Sequence, residues 1–383
     1  MGVTVMTIGV IVSLIGGGIF AMTSFINSMG IPHIPTQAVD TKEIAISLTG
    51  PPGSSSYAET TTAGPMLTSG VFRESSDEPY RESTPTATLP TNAKSTQGHH
   101  DIKLEKITFG GFGSDPGKFR MNYGVAVSAD NEIFVADSMN NRIQVFSMDG
   151  SFLRLFPTVV PGEDRKIYPN SVAIDVEPGY LWAVGSLVFS PADGYVVQYS
   201  TDGLPLQKFD VSFTTRHPYP SIAIDVRNNK LIMGEGGTIK MFQPKGSLYR
   251  SFEVLNKEIV NEVICGVTSD REGNVLITDW YRSVMMYNHS GDKIFEFGTR
   301  GSREGQLSSP TGICVDTLGR IIVANCGNNR VDMFTSRGEF VRTVANIRNP
   351  RAIAIGPGGQ LVVTATGKYD FTVTVFPRHM VFP

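Results

Sequence analysis

The chain has 383 residues, among them 40 glycines and 23 prolines, with 9% aromatic and 18% charged residues and a formal net charge of −3. Glycine and proline break helices and punctuate short strands, so this profile points to a turn-rich all-β protein rather than a helical bundle. The small net charge excludes a general attraction to nucleic acid or acidic membranes. Three scattered cysteines, Cys265, Cys314 and Cys326, exclude a disulfide scaffold, and no Cys/His cluster has zinc spacing.

Residues Val3 to Ile26 carry no charge. As a helix rising 1.5 Å per residue they would reach about 36 Å, enough to cross a hydrocarbon core of about 30 Å. The expectation is a transmembrane anchor over residues 1–30, meeting the membrane through residues 3–26 and making the protein single-pass. The rival is a cleaved secretory signal, whose apolar core normally runs about 7–15 residues behind a basic leader. No Lys or Arg precedes Lys42, so the side of the membrane on which the rest lies is unreadable. Between Thr41 and His100, 26 of 60 residues are Ser, Thr or Pro. Such a segment buries too little apolar surface to offset its ordering entropy, so residues 31–100 read as a disordered linker. On a lumenal side the composition suits an O-glycosylated stalk, and on a cytosolic side a phosphorylatable tether.

Residues 101–383 are built from a repeat. One line recurs as Arg142-Ile-Gln-Val-Phe146, Tyr195-Val-Val-Gln-Tyr199, Thr238-Ile-Lys-Met-Phe242, Ser283-Val-Met-Met-Tyr287, Arg330-Val-Asp-Met-Phe334 and Phe371-Thr-Val-Thr-Val-Phe376. A glycine follows four residues after the aromatic in the first five copies, at Gly150, Gly203, Gly246, Gly291 and Gly338. An upstream strand recurs from Gly124, Ser171, Ser221, Gly266, Gly312 and Ala352, at spacings of 47, 50, 45, 46 and 40 residues. Four short apolar strands per 40–50 residues, separated by Gly, Asp and Asn turns, are the signature of propeller blades. The sixth unit ends after its third strand, at Phe376, while Ile107-Thr-Phe-Gly-Gly-Phe-Gly113 supplies a loose fourth strand ahead of the first unit. The expectation is a six-bladed all-β propeller closed by that N-terminal strand.

Val135-Ala-Asp137-Ser-Met-Asn140-Asn141-Arg142-Ile-Gln-Val-Phe146 resembles the NHL repeat, as does Arg320-Ile-Ile-Val-Ala-Asn325-Cys-Gly-Asn328-Asn329-Arg330-Val-Asp-Met-Phe334. The inter-blade stretches Phe112 to Phe119 and Phe297 to Leu307 are similar to the family's linkers. The resemblance covers about residues 104–377 and is specific in units one, four and five, while units two, three and six are degenerate. By pattern the chain is similar to the propellers of tripartite-motif NHL proteins. Those carry RING, B-box and coiled-coil modules, which this sequence lacks, so the resemblance does not bring ubiquitin-ligase activity with it. It does imply that partners bind the face shared by the d–a and b–c loops, strands a to d running from the centre of the ring outward.

Asp137 and Arg142 bracket a b–c hairpin, as do Asp279 and Arg282, while Asn325 stands in for the acid opposite Arg330. Such pairs are expected to lock the turns by satisfying their polar groups. Phe146 and its equivalents are expected to pack between blades, and the cysteines to be small buried apolar residues. Residues 101–383 have 29 basic and 29 acidic side chains. The loops of blades 5, 6 and 1 nevertheless gather Lys118, Arg120, Arg142, Arg300, Arg303, Arg330, Arg348, Arg351 and Lys368 against Asp115, Asp137, Glu304 and Asp370. Loops of blades 3 and 4 carry Glu235, Glu253, Glu258 and Glu262. The plain reading of that distribution is a solvated rim. The functional one is a basic sector for an anionic partner, single-stranded RNA included, with Tyr123, Trp280 or Tyr281 for base stacking. Asn288-His-Ser290 is the one glycosylation sequon, in a c–d turn.

The expectation is a non-catalytic, membrane-tethered scaffold for a protein partner, with no cofactor and no bound metal. The alternatives are a ubiquitin-ligase substrate adaptor and an RNA-binding propeller. An enzyme resembling the peptidyl-amidating lyases would need about three His on one metal ion. Only His217, His289 and His379 fall in the repeats, and His289 sits in a turn on the opposite face from His217.

Overall fold

Each repeat folds into a four-stranded antiparallel sheet, and six such sheets form the domain. The computed structural model describes residues 105–383, apart from 176–178, 188–189, 214–218, 255–262, 369 and 383, with the side chains of 190–192 also undescribed. Blade 1 runs outward through Asn122–Val127, Ile133–Asp137, Arg142–Phe146 and Phe152–Pro157. Its second and third strands are buried at every position, as are the second strands of blades 4 and 5, Val275–Asp279 and Ile321–Asn325. A strand covered on both faces reads as a continuous apolar run instead of an alternation, which is why the periodicity here lies between repeats and not within strands.

Blade 6 takes three strands from the end of the chain, Pro350–Ile355, Leu361–Thr366 and Phe371–Phe376, and its outer strand from Ile107–Gly110. The last pair is antiparallel from Ile107↔Val375 to Gly110↔Thr372, with the hydroxyls of Thr108 and Thr374 3.0 Å apart. The N-terminal closing strand is therefore present. It leaves the third strand of blade 6 with partners on both sides, so the ring has no open seam.

The recurring aromatic explains the blade-to-blade contact. Phe146, Tyr199, Phe242, Tyr287 and Phe334 are buried, and each meets an aromatic from the outer strand of the preceding blade. The pairs are Phe109–Phe146, Phe156–Tyr199, Phe209–Phe242, Phe252–Tyr287 and Phe297–Phe334, with ring centroids 4.7 to 5.9 Å apart. Such pairs contribute about 0.5–1.5 kcal/mol each beyond the area they bury. The glycine four residues on is required twice over. Gly203 has φ +91°, and a Cβ there would lie 2.2 Å from the Phe156 ring, so the turn needs both the left-handed backbone and the missing side chain.

A one-turn helix, α1 (Arg378–Val381), follows the last strand. Val381 is fully buried, Arg342 donates to the Met380 carbonyl at 3.2 Å, and the Arg320 guanidinium sits 4.1 Å from the centroid of the Phe382 ring. The tail thus packs against blades 5 and 6.

Among the described residues no helix is long and apolar enough to cross a membrane. The described helices are single turns of three or four residues, against about 20 for a spanning helix. The single-pass membrane localisation is corrected accordingly. It rested on apolar length alone, in a stretch interrupted by Gly16-Gly17-Gly18 and without flanking basic anchors. Residues 3–26 and the linker over 31–100 lie outside the described residues.

Candidate binding site at the channel mouth

The innermost strands of the six blades line a central channel. Five of them carry, toward the d–a/b–c face, an interruption of the pairing to the second strand: Asn122/Gly124, Pro169/Ser171, Ile264/Gly266, Pro310/Ile313 and Pro350/Ile353. The residues left over at four of these bulges are Tyr123, Asn170, Cys265 and Arg351, and all four line one small cavity. A bulge re-aims a side chain that regular pairing would turn back into the blade. Here it turns them toward the axis.

At or next to these positions, and at the start of the third blade's inner strand, lies a ring of small residues, Gly124, Ser171, Ser221, Gly266, Gly312 and Ala352. A Cβ on Gly266 would lie 2.3 Å from the Thr311 carbonyl oxygen, and one on Gly312 2.7 Å from that of Arg351. Neighbouring strands approach so closely that Ile222 N–H donates to Ser171 Oγ and Val267 N–H to Ser221 Oγ, each at 3.2 Å. The channel therefore has a neck of about 80 Å³ at this face and widens to about 810 Å³ toward the a–b turns.

Arg351 stands at the neck. Its guanidinium carbon lies 4.9 Å from the ring centroid of Tyr123, 5.7 Å from Tyr219 and 5.6 Å from Trp280, and Tyr123 meets Tyr219 edge-on at 5.7 Å. Burial raises the Tyr123 hydroxyl pKa, with the Arg351 charge acting against it, so the phenol stays neutral and a hydrogen-bond donor. Next to this cluster, Arg300 donates to the Tyr281 hydroxyl at 2.8 Å and lies 4.8 Å from its ring centroid. Trp280, Tyr281 and Tyr219 are more than a third exposed. Residues chosen from separate blades in the sequence (Tyr123, Trp280, Tyr281, Arg300 and Arg351) thus occupy one patch. Tyr219 and Asn170 belong to it and carry no motif that would single them out.

The other cations divide. Lys118, Arg120, Arg303 and Arg348 are exposed on the rim, Lys118 capping the Gly110 carbonyl at 2.8 Å and Arg120 lying 5.6 Å from the Phe112 ring centroid. Arg142 and Arg330 are structural. Asp137 is fully buried, and its Oδ2 accepts from Arg142 Nε at 2.7 Å, Asn140 Nδ2 at 2.8 Å and Gln144 Nε2 at 3.1 Å. Arg142 then donates to the carbonyls of Ser114, Asp115 and Lys118, tying the d–a connection over the hairpin. In blade 5 the acid and the amide change places. Arg330 Nε is 2.7 Å from Asp332 Oδ2, and Asn325 Nδ2 donates to that same oxygen at 2.7 Å. Arg330 also holds the carbonyls of Ser302, Arg303 and Gln306. Asp332, not named among the locks, could have been found by aligning it with Gln144.

The Asp279–Arg282 pair is corrected. Ser283 stands opposite Asp279, whose Oδ1 accepts the backbone N–H of Tyr281, Arg282 and Ser283 and whose Oδ2 accepts the Ser283 hydroxyl. This hairpin is shorter than that of blade 1, so the Arg282 guanidinium cannot fold back and lies 5.9 Å from the Tyr281 ring centroid instead. Asn288 does sit in a c–d turn, where its Oδ1 accepts the N–H groups of Ser290 and Asp292, both at 2.9 Å. Glu235 is buried rather than part of an acidic rim, and Glu258, Glu262 and His217 lie outside the described residues. Among the described residues no three His, Cys, Asp or Glu side chains converge as a metal site. Burial pushes the thiol of Cys265 up to about 12 and those of Cys314 and Cys326 upward, leaving all three protonated at neutral pH.

The NHL repeat family matches residues 124–146 and 307–332, blade 1 and blade 5. The chain carries NHL repeats. The chain is similar to human E3 ubiquitin-protein ligase TRIM32, 25% identical over 356 residues that cover 85% of this chain and 52% of that protein. Protein brain tumor from Drosophila melanogaster is 26% identical over 202 residues, 51% of this chain and 15% of that protein. Protein lin-41 from Caenorhabditis elegans is 52% identical over 48 residues, 12% of this chain and 4% of that protein. The chain thus spans about half the length of TRIM32 and less of the other two. A Bacteroides thetaiotaomicron protein of unknown function has the same fold, with TM-score 0.51 and 14% identity over 71% of this chain and 76% of that one.

Proposed function

We propose that the NHL propeller is a non-catalytic recognition module that binds a protein partner on the d–a/b–c face, centred on the channel mouth. One observation carries this reading. Arg351, Tyr123, Tyr219 and Trp280, from four different blades, are gathered at one mouth of the channel, on the face whose loops in blades 1 and 5 are tied down by the Asp137–Arg142 and Arg330–Asp332 networks. Aromatic and arginine side chains on a rigid support dominate the energetics of protein interfaces. A preorganised rim also limits the entropy lost on binding. The exposed apolar side chains elsewhere, such as Leu153 and Leu248, lie on separate outer strands and do not form a comparable cluster.

The test is a random-peptide phage library panned on the full chain. Wild type is expected to enrich a motif, and Arg300→Glu, Arg303→Glu and Arg351→Glu combined are expected to abolish it. Enrichment that survives the triple change would refute the face. The similarity to TRIM32 favours one more specific form of the reading, in which the captured protein is a substrate delivered to a ubiquitin ligase. Loss of the partner's ubiquitination on the same triple change is its expected signature.

A further inference from the structure

We propose that the channel neck receives the carboxylate of an aspartate or glutamate side chain presented by the bound peptide. The carboxylate would pair with the Arg351 guanidinium, while Asn170 Oδ1 accepts an N–H of the same peptide. This deepens the reading of the face as a partner surface and rests on it.

Three observations converge on the neck. The guanidinium of Arg351 offers five N–H donors, yet among the described residues it meets three aromatic rings and no carboxylate. The nearby carboxylate of Asp279 is taken up by its own hairpin. Asn170 is 9% exposed, and its buried Oδ1 has no hydrogen-bond partner among the described residues, although it lines the same cavity. Buried acceptors are normally paired, so such an acceptor in one cavity with a cation that has no carboxylate partner among the described residues marks a place for a ligand with both an anion and a donor. A peptide residue with an acidic side chain has both within a few bonds: the carboxylate and its own backbone N–H.

Charge selects among anions. A single guanidinium matches a monovalent carboxylate better than a phosphate of charge about −1.5 to −2. Tyr123 and Tyr219 line the neck beside the guanidinium, and Trp280 flanks it at 5.6 Å.

The chain has only two tryptophans, Trp182 in the core at 1% exposed and Trp280 at the neck at 38%. The full chain labelled with 5-fluorotryptophan therefore gives one signal that reports the site and one that reports folding. The probe is a blocked glycine pentapeptide with a central aspartate, compared with its asparagine counterpart, a phosphoserine counterpart and hexauridylate. The aspartate peptide is expected to shift the Trp280 signal and leave Trp182 unmoved, and the asparagine peptide to do nothing at the same concentration. Arg351→Lys should weaken the response about tenfold by losing the bidentate geometry, and Arg351→Ala or Asn170→Leu should remove it while Trp182 keeps its native position. An equal response to asparagine, stronger binding of the phosphoserine peptide or hexauridylate, or an unchanged response in Arg351→Ala would overturn the carboxylate site. If Arg300→Glu with Arg303→Glu abolishes phage enrichment while Arg351→Ala leaves the enriched motif intact, the face stands and the neck falls. If none of these changes affects enrichment, both fall.

Discussion

The exchange of acid and amide between blades 1 and 5 can be written into blade 1 by mutation. Asp137→Asn leaves the Arg142 guanidinium, 11% exposed in its side chain, beside a fully buried neutral residue. Removing one partner of a buried ion pair costs about 3–5 kcal/mol. At roughly 2–4 °C per kcal/mol for a domain of this size class, the melting temperature should fall on the order of 10 °C. Gln144→Asp alone should also destabilise, because it sets a second carboxylate against Asp137, whose Oδ2 Gln144 now contacts at 3.1 Å. The double variant recreates the arrangement of Asn325, Arg330 and Asp332, in which one carboxylate oxygen serves both Arg330 Nε and Asn325 Nδ2 at 2.7 Å. It should be more stable than either single variant, with a coupling of about 2 kcal/mol. Recovery will be incomplete, since Asp332 also accepts from the Thr343 hydroxyl at 2.8 Å, whereas Leu155 faces Gln144. Adding Leu155→Thr should close part of that gap. Urea and thermal unfolding of the full chain, followed by circular dichroism, measure all four variants. Additive losses, or no loss in Asp137→Asn, would refute the idea that the charge balance of the hairpin and not its particular residues holds the rim.

Deleting residues 378–383 removes the buried Val381 and the Phe382 ring under Arg320. Burying side chains of this kind is worth about 1.5–3 kcal/mol each, so the melting temperature should drop by several degrees while the enriched peptide motif is kept. Gly266→Val puts its Cβ 2.3 Å from the Thr311 carbonyl oxygen and must spread the inner strands; it should lower stability by more than about 2 kcal/mol, read by the same melts. Native protein at pH 7.5 should resist iodoacetamide at Cys265, Cys314 and Cys326, and unfolded protein should react at all three, as mass spectrometry will show. Because burial holds the Cys265 thiol at about 12 against an ordinary 9.0, the fold favours its protonated form. Its contribution to stability is complete below about pH 9 and is lost as pH rises toward 12.

The ring was legible because each blade repeats the same chemical compromise. The Phe146-type aromatic and the glycine four residues later mark where a strand meets its neighbour and turns, and Ile107 to Gly110 supplied the one strand the last repeat lacked. What escaped the sequence depends on pairing register. Phe109, Phe156, Phe209, Phe252 and Phe297 complete the aromatic pairs, but they lie on outer strands with no fixed motif. Asp332 stands in the sequence as one more strand residue of Arg330-Val-Asp-Met-Phe334, and only the pairing register makes it the displaced partner of Arg330. Asn170 and Tyr219 gain their place from a bulge and from the closeness of blades at the neck, neither of which a linear pattern displays. Loop membership alone does not separate free cations from structural ones: Arg142 and Arg330 are consumed in holding loops, and the aromatic cluster reaches across to blades 3 and 4.

The central claim is that a protein partner seats on the channel mouth. Replacing Trp280, Tyr281 or, as a control on the outer strand of blade 3, Tyr249 with a photo-crosslinking benzoylphenylalanine tests this in cells. The account predicts ultraviolet-dependent crosslinks to the same protein from positions 280 and 281, lost with Arg351→Ala, and none from position 249. Crosslinks from 249 alone, or to nucleic acid in place of protein at 280 and 281, would contradict it.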